Sequence, residues 1–309
     1  MDYQITCWIL TRERLNYAKE SIQSVLNSVE SCLHKSKITV CISDNSKTPG
    51  VSEILCRYFP TVQLIYRGGE LRQFEHFKIV ANQTTTSHVV IFHDDDIMLP
   101  NYFTLVFELL EKNSDSSAFA TNSLFIDEYG EKISRNMSVF SANRNSLPDL
   151  ITISSAKDLV KRYLNQDHGG FPAFSTYCYS TLAVRKAVPD ERTAGLYSDT
   201  TFLCDLIKYG SLSWSPVAGA HIRMHQASES GVSSVRDYKL FLSWIRKNPK
   251  LDVSSIDYNI YRLLRLRYFL KSRNRTRGKY WYRCITALLT LSIYSVTLRR
   301  KIFNRLIIS

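Results

Sequence analysis

The sequence has no CxxC pair: its seven cysteines lie scattered at positions 7, 32, 41, 56, 178, 204 and 284. An odd, unclustered set is neither a disulfide framework nor a zinc ligand set, and it suits a reducing compartment with the thiols as small core groups. There is no internal repeat and no low-complexity linker. The opening residues, MDYQITCWILTRERL, are acidic at position 2 and carry only a short apolar run. A signal peptide needs a basic start and a longer apolar stretch, so a cytoplasmic protein is expected. Acidic residues are absent from Tyr258 to Ser309. The uncharged run from Cys284 to Leu298 has 15 residues, short of the roughly 20 that span a bilayer.

Hydrophobic residues make up 44% of the 309, enough for a sizeable core and against wholesale disorder. The net charge of +12 is unevenly placed. Residues 236–309 hold 18 Lys/Arg and 3 Asp/Glu, a balance of +15, which leaves 22 basic and 25 acidic side chains, or −3, before them. The chain therefore divides into a main domain, residues 1–235, and a basic, largely helical segment, residues 236–309.

Apolar, β-branched runs at QITCWILT, KITVCISDNS, VQLIYRGG and SHVVIFHDDD read as four strands. Apolar positions from Leu15 to Val29 recur at helical spacing, residues 73–83 read as a helix, and Pro100 opens another through Glu111. This alternation gives an α/β fold with a mostly parallel sheet flanked by helices. Ligands of such sheets gather beyond the carboxyl ends of the strands. There the polar clusters Thr11–Arg14, Asp44–Ser46 and His93–Asp96 fall. Residues 117–127 read as a further strand, 154–165 and 196–209 as helices. The Gly- and aromatic-rich stretch 168–180 (HGGFPAFSTYCYS) reads as a shaped loop.

Three consecutive carboxylates, Asp94, Asp95 and Asp96, repel one another unless a cation is near. A hard divalent ion takes one or two carboxylates and completes its shell with phosphate oxygens and water. A solvated turn that caps the next helix is the plainer alternative. The placement after a buried strand, beside two other polar strand ends, favours the ion.

Four segments in order resemble the family 2 glycosyltransferases, enzymes of the GT-A fold. ILTRERLNYAKESIQSVLNS is similar to the family's opening strand, loop and helix, and ISDNS to its nucleoside-binding second strand. VVIFHDDDIMLP resembles the strand that bears the Asp-x-Asp motif, and LYSDTTFLCDLIKYG the later acidic motif. The resemblance covers residues 4–230. It implies an inverting, Mg²⁺- or Mn²⁺-dependent transfer from a nucleotide-sugar donor to an acceptor hydroxyl. By that resemblance Asp44 meets the nucleobase and Thr11 the nucleotide. With Pro100 setting the register, Asp95 leads the metal ligands and Asp94 lies near the ribose or donor sugar. His93 stands where the family has its first acidic residue, so either Asp94 or Asp96 assists Asp95.

Asp199 is the expected general base, taking the acceptor proton as the bond forms, with a helix cap as its structural alternative. His221 and His225 stand at i, i+4 without the Glu of a zinc-protease motif. By the resemblance His225 reaches the metal or diphosphate. Arg67 and Arg72 flank the end of the third strand and could meet the diphosphate. The rings of FPAFSTYCYS suit either sugar stacking or core packing. Arg262 to Lys279 carries eight basic residues, which with the uncharged run suits an interfacial helix on an anionic membrane face. The family often builds glycans on lipid carriers, so the expected acceptor is a glycan or lipid-linked glycan of a surface polysaccharide. No nucleic acid is expected as a partner. A metal-dependent nucleotidyl or phosphoryl enzyme, a nuclease, or a non-catalytic membrane-bound binding protein are the readings of other classes.

Overall fold

The computed structural model describes residues 2–133, 150–165, 171–187, 191–225, 235–254 and Tyr258. The remainder of the basic tail, with its expected interfacial helix, lies outside the described residues, as do 168–170 of the expected loop.

Four parallel strands form one half of a nine-stranded sheet: β1 (Ile5–Thr11), β2 (Ile38–Asp44), β3 (Gln63–Tyr66) and β4 (His88–His93). Their order in space is β3-β2-β1-β4, so β1 is central, and it reads as a continuous apolar run because helices cover both its faces. The crossovers carry α1 (Leu15–Glu30), α2 (Gly50–Tyr58) and α3 (Gln73–Gln83). Helix α1 buries Ala18, Ile22 and Val25 at helical spacing. The register aligns Thr11 with Asp44, Asp44 with Tyr66, and Leu10 with His93. All four carboxyl ends therefore open on the same side.

The two-residue strand β5 (Ile97–Met98) and helix α4 (Tyr102–Lys112) lead to the long strand β6 (Ser116–Ile126). Strand β7 (Ile151–Ile153) and helix α5 (Ala156–Asn165) follow, then β8 (Tyr177–Ser180) and α6 (Thr181–Lys186). Helices α7 (Glu191–Ala194) and α8 (Ser198–Leu206), strand β9 (Ser211–Arg223) and helix α9 (Val235–Lys247) complete the described chain. Strand β8 is antiparallel to both β4 and β6 and so joins the two halves of the sheet.

The stretch expected to be a loop at 168–180 is corrected here: its last four residues are this bridging strand. Tyr177 and Tyr179 are fully buried in it, and Tyr179 packs with Phe77, Phe174 and Phe202. Both faces of the sheet are covered at that point, so aromatic rings there fill core. The basic segment also begins inside this core. On α9, Phe241 is fully buried and stacks on Tyr197 at 5.0 Å. Among the described residues no helix is long and apolar enough to cross a membrane.

Candidate active site

At the carboxyl ends of β1 and β2 the loops tie to each other before any ligand is considered. Glu13 takes a left-handed φ of 60°, a conformation that needs outside support in a non-glycine residue. Its N–H donates to Ser46 Oγ at 2.9 Å, and its carboxylate accepts the Lys47 N–H at 2.7 Å. Gly69, with φ +80°, lets the β3–α3 loop lie on this pair, since a Cβ there would stand 2.7 Å from Lys47 Cα.

Asp44 is fully buried beneath these loops. Its Oδ1 accepts from the Ser46 N–H and hydroxyl at 2.8 and 2.5 Å, and Oδ2 from the Ser52 hydroxyl at 2.5 Å. A nucleobase would have to share or replace one of these bonds. Arg67 is turned inward: Nε donates to Ser43 Oγ at 2.9 Å and Nη2 to Gln83 Oε1 at 2.6 Å. His76 meets the same Ser43 hydroxyl at 2.7 Å. Burial, then Arg67 and Arg12, hold His76 down at about 4, so it is neutral near pH 7. Arg72, before the first turn of α3, pairs with Glu75, whose carboxylate accepts the Arg72 N–H at 3.0 Å and its Nε and Nη2 at 3.2 and 2.6 Å.

The three aspartates after β4 meet three different environments. Asp94 accepts the Arg12 N–H at 3.2 Å and faces Arg14 Nη1 at 3.3 Å. Burial, then the charge of Asp95, raises it to about 6 against Arg14, the Thr11 hydroxyl and the Arg12 amide. Asp95 Oδ2 accepts from Arg14 Nη1 at 2.8 Å and from His225 Nε2 at 2.9 Å. Burial pushes Asp95 up, but His93, the bond from His225 and Arg14 together hold its carboxyl below the ordinary range. Asp96 points inward, accepting the Ser175 hydroxyl at 2.5 Å and the Arg223 N–H at 3.0 Å. Burial and Asp95 raise it.

His93, Asp95 and Asp96 can each present a ligand atom such that all three lie within 4.8 Å of one another. A histidine nitrogen with two carboxylates is a donor set that suits a divalent ion, and the lowered Asp95 is ionised for the purpose. His225, expected to reach the metal or diphosphate, places its Nε2 2.9 Å from Asp95 Oδ2 and packs its ring 5.6 Å from Tyr17. Arg223, absent from the expected set, braces the whole loop. Its Nε donates to the Asp95 carbonyl at 2.9 Å, Nη1 to the Glu128 carbonyl at 3.1 Å and Nη2 to Glu20 at 2.6 Å. Its guanidinium also lies 4.7 Å from the Tyr17 ring centre. A lone arginine between apolar neighbours at the end of a strand was the available signal for it.

Asp199 stands in the first turn of α8, where Oδ1 accepts the Thr200 N–H at 2.7 Å. It is half-buried. Burial raises it to about 6 against the Thr200 bonds.

Beyond this geometry lie the comparisons with known proteins. Among curated proteins none matches the sequence. Solved structures of TarS from S. aureus share the fold. Residues 1–349 of TarS align with a TM-score of 0.55 at 13% identity, over 92% of this chain and 79% of that one. The same residues of TarS in complex with UDP align at a TM-score of 0.56, over 92% and 79%. Their complex with UDP-GlcNAc aligns at 0.53, over 97% and 79%, both at 13% identity. The fold is thus the GT-A arrangement. The family model described as Glycosyl transferase family 2 matches residues 6–174, from the central strand through the acidic cluster to the start of the bridging segment. With more than half its length matched and that fold around the site, the chain belongs to glycosyl transferase family 2.

Proposed function

We propose that this glycosyltransferase is inverting and metal-dependent, moving a sugar from a nucleotide-sugar to an acceptor hydroxyl. The observation that carries the reading is the pairing of two acidic centres of different character. One is the His93–Asp96 cluster, with Asp95 ionised; the other is Asp199 on α8, raised to about 6 by burial. Two acidic groups set apart in this way suit two tasks, charge neutralisation and proton transfer.

Asp95 with His93 and Asp96 would hold Mg²⁺ or Mn²⁺, which when bound offsets charge growing on the leaving diphosphate. Asp94 would face the ribose or donor sugar. Thr11 and the Asp44 loop would line the nucleoside side, with Arg67 behind them orienting Ser43 and the β3 end. Asp199 would accept the acceptor hydroxyl's proton as oxygen attacks the anomeric carbon from the face opposite the diphosphate. A raised value keeps a carboxylate basic enough to help while it remains mostly ionised at pH 7. His225 would steady Asp95 rather than bind the ion, since the contact it makes is to that carboxylate. The complexes of the TarS fold with UDP and UDP-GlcNAc support the donor class.

The acceptor in this reading is a glycan or lipid-linked glycan of a surface polysaccharide. The basic segment would hold the enzyme at the cytoplasmic face of a membrane, supported by the +15 balance of residues 236–309. A screen of nucleotide-sugars with and without Mn²⁺, read by calorimetry and by slow donor hydrolysis, tests the assignment. One donor should bind only with metal and release free sugar. A well-folded protein that binds none of them would overturn it.

A further inference from the structure

Arg14 precedes the first turn of α1, a third of its side chain exposed, and its Nη1 reaches both Asp94 Oδ1 and Asp95 Oδ2. It thus occupies the mouth of the acidic cluster. An arginine guanidinium stays charged at any working pH. A divalent ion on Asp95 brings two positive charges to the same carboxylate, and the two cations repel at that distance.

The neighbouring contacts are fixed. Asp94 takes a backbone amide from Arg12, and the Glu13 turn is pinned by Ser46 and Lys47. Asp96 is tied to Ser175 and Arg223. The Arg14 arm is the adjustable part. Once displaced, its planar N–H fork needs another anion, and a guanidinium matches phosphate oxygens as well as carboxylate oxygens. A diphosphate coordinated to the same ion is the nearest anion on offer.

We propose that Arg14 is a two-position binding residue. It neutralises Asp94 and Asp95 in the free protein, yields Asp95 to the divalent ion, and then donates to the diphosphate of the donor. This rests on the metal and nucleotide-sugar reading above. It requires opposite signs for one substitution, because the arginine opposes the ion alone and supports the ion with its diphosphate.

The test uses the full chain as wild type, Arg14→Gln and Arg14→Lys. Electron paramagnetic resonance of free Mn²⁺ measures metal binding alone. Calorimetry with UDP and with GDP at saturating Mn²⁺ measures the loaded site. Arg14→Gln should bind Mn²⁺ alone about fivefold or more tighter, and the preferred nucleotide about fivefold or more weaker. Arg14→Lys keeps the charge and should lie near wild type for Mn²⁺, with an intermediate nucleotide loss. If Arg14→Gln binds Mn²⁺ more weakly, Arg14 is a brace for the cluster and the proposal falls. It also falls if nucleotide affinity is unchanged. Wild type that takes up Mn²⁺ but neither nucleotide would instead remove the donor reading itself, a result visible before any variant is compared.

Discussion

Adjacent carboxylates normally titrate as near equals, yet here each has its own counter-group. Asp94 has a backbone amide and the edge of Arg14; Asp95 has Arg14 and His225; Asp96 has Ser175 and the Arg223 amide. The central one is held below the ordinary range while its neighbours are pushed up by burial and by its charge. Arg223 keeps that residue in place through the Asp95 carbonyl. Arg223→Met leaves Glu20 and two carbonyls without their donor, and should cost about 2–3 kcal/mol of stability. The same variant should weaken Mn²⁺ affinity measurably, whereas loss of stability alone with unchanged Mn²⁺ affinity would make the arginine a purely structural brace.

As the proposed base, Asp199 would act only when ionised. Its carboxyl is raised to about 6, so the transfer rate should fall as pH drops through about 6. An unburied carboxylate would hold its rate to about pH 4. A rate under saturating donor that stays flat from pH 7 to 4.5 would remove Asp199 from the proton transfer.

At this scale the sequence led to some residues and not to others. The acidic run stood out because three carboxylates after an apolar strand are chemically conspicuous. Arg14 and Arg223 did not, since what marks them is distance in space. Arg223 reaches Glu20 across 203 positions. The partner of Arg72, Glu75, lies only three residues on.

Among the elements, the strands of the first half were written in their apolar runs, and β1, β2, β3 and β4 fall where those runs do. Helix α2 was not assigned from sequence; it has nine residues and buries only Ser52 and Leu55. Strand β8 was hidden by its aromatic and glycine-rich surroundings. Strand β9 passes β6 through a register shift between Thr121 and Ser123. There Gly219 allows close approach, as a Cβ would come within 2.5 Å of Thr121 Oγ1. Gly219→Ala should therefore destabilise by about 1–3 kcal/mol through overpacking; a thermal melt at the wild-type midpoint would show that the strands can part without cost.

For the molecule as a whole, the basic segment and the catalytic core meet at α9. Phe241 packs between Tyr163 and Tyr197, and Tyr197 lies two residues before Asp199. Truncating Phe241 to Ala should cost about 3–5 kcal/mol and loosen the turn that carries Asp199. The charge asymmetry yields a prediction at the same scale. The full chain should sediment with phosphatidylglycerol vesicles and not with phosphatidylcholine ones, with the binding weakened by salt. Equal partitioning to both would show that charge does not guide it. The division of the chain into an acidic-to-neutral core and a basic end was visible in composition alone. That the basic end starts as part of the core was not, because its apolar face is defined by the aromatic wall it meets.

The most direct measurement compares wild type, Asp95→Ala and Asp199→Asn for Mn²⁺-dependent binding and turnover of the donor found by screening. Asp95→Ala should lose metal-dependent binding. Asp199→Asn should bind the donor within about twofold of wild type while transfer falls by about 10²-fold or more. Donor binding that survives Asp95→Ala, or turnover that survives Asp199→Asn, would contradict the division of labour between the two acidic centres.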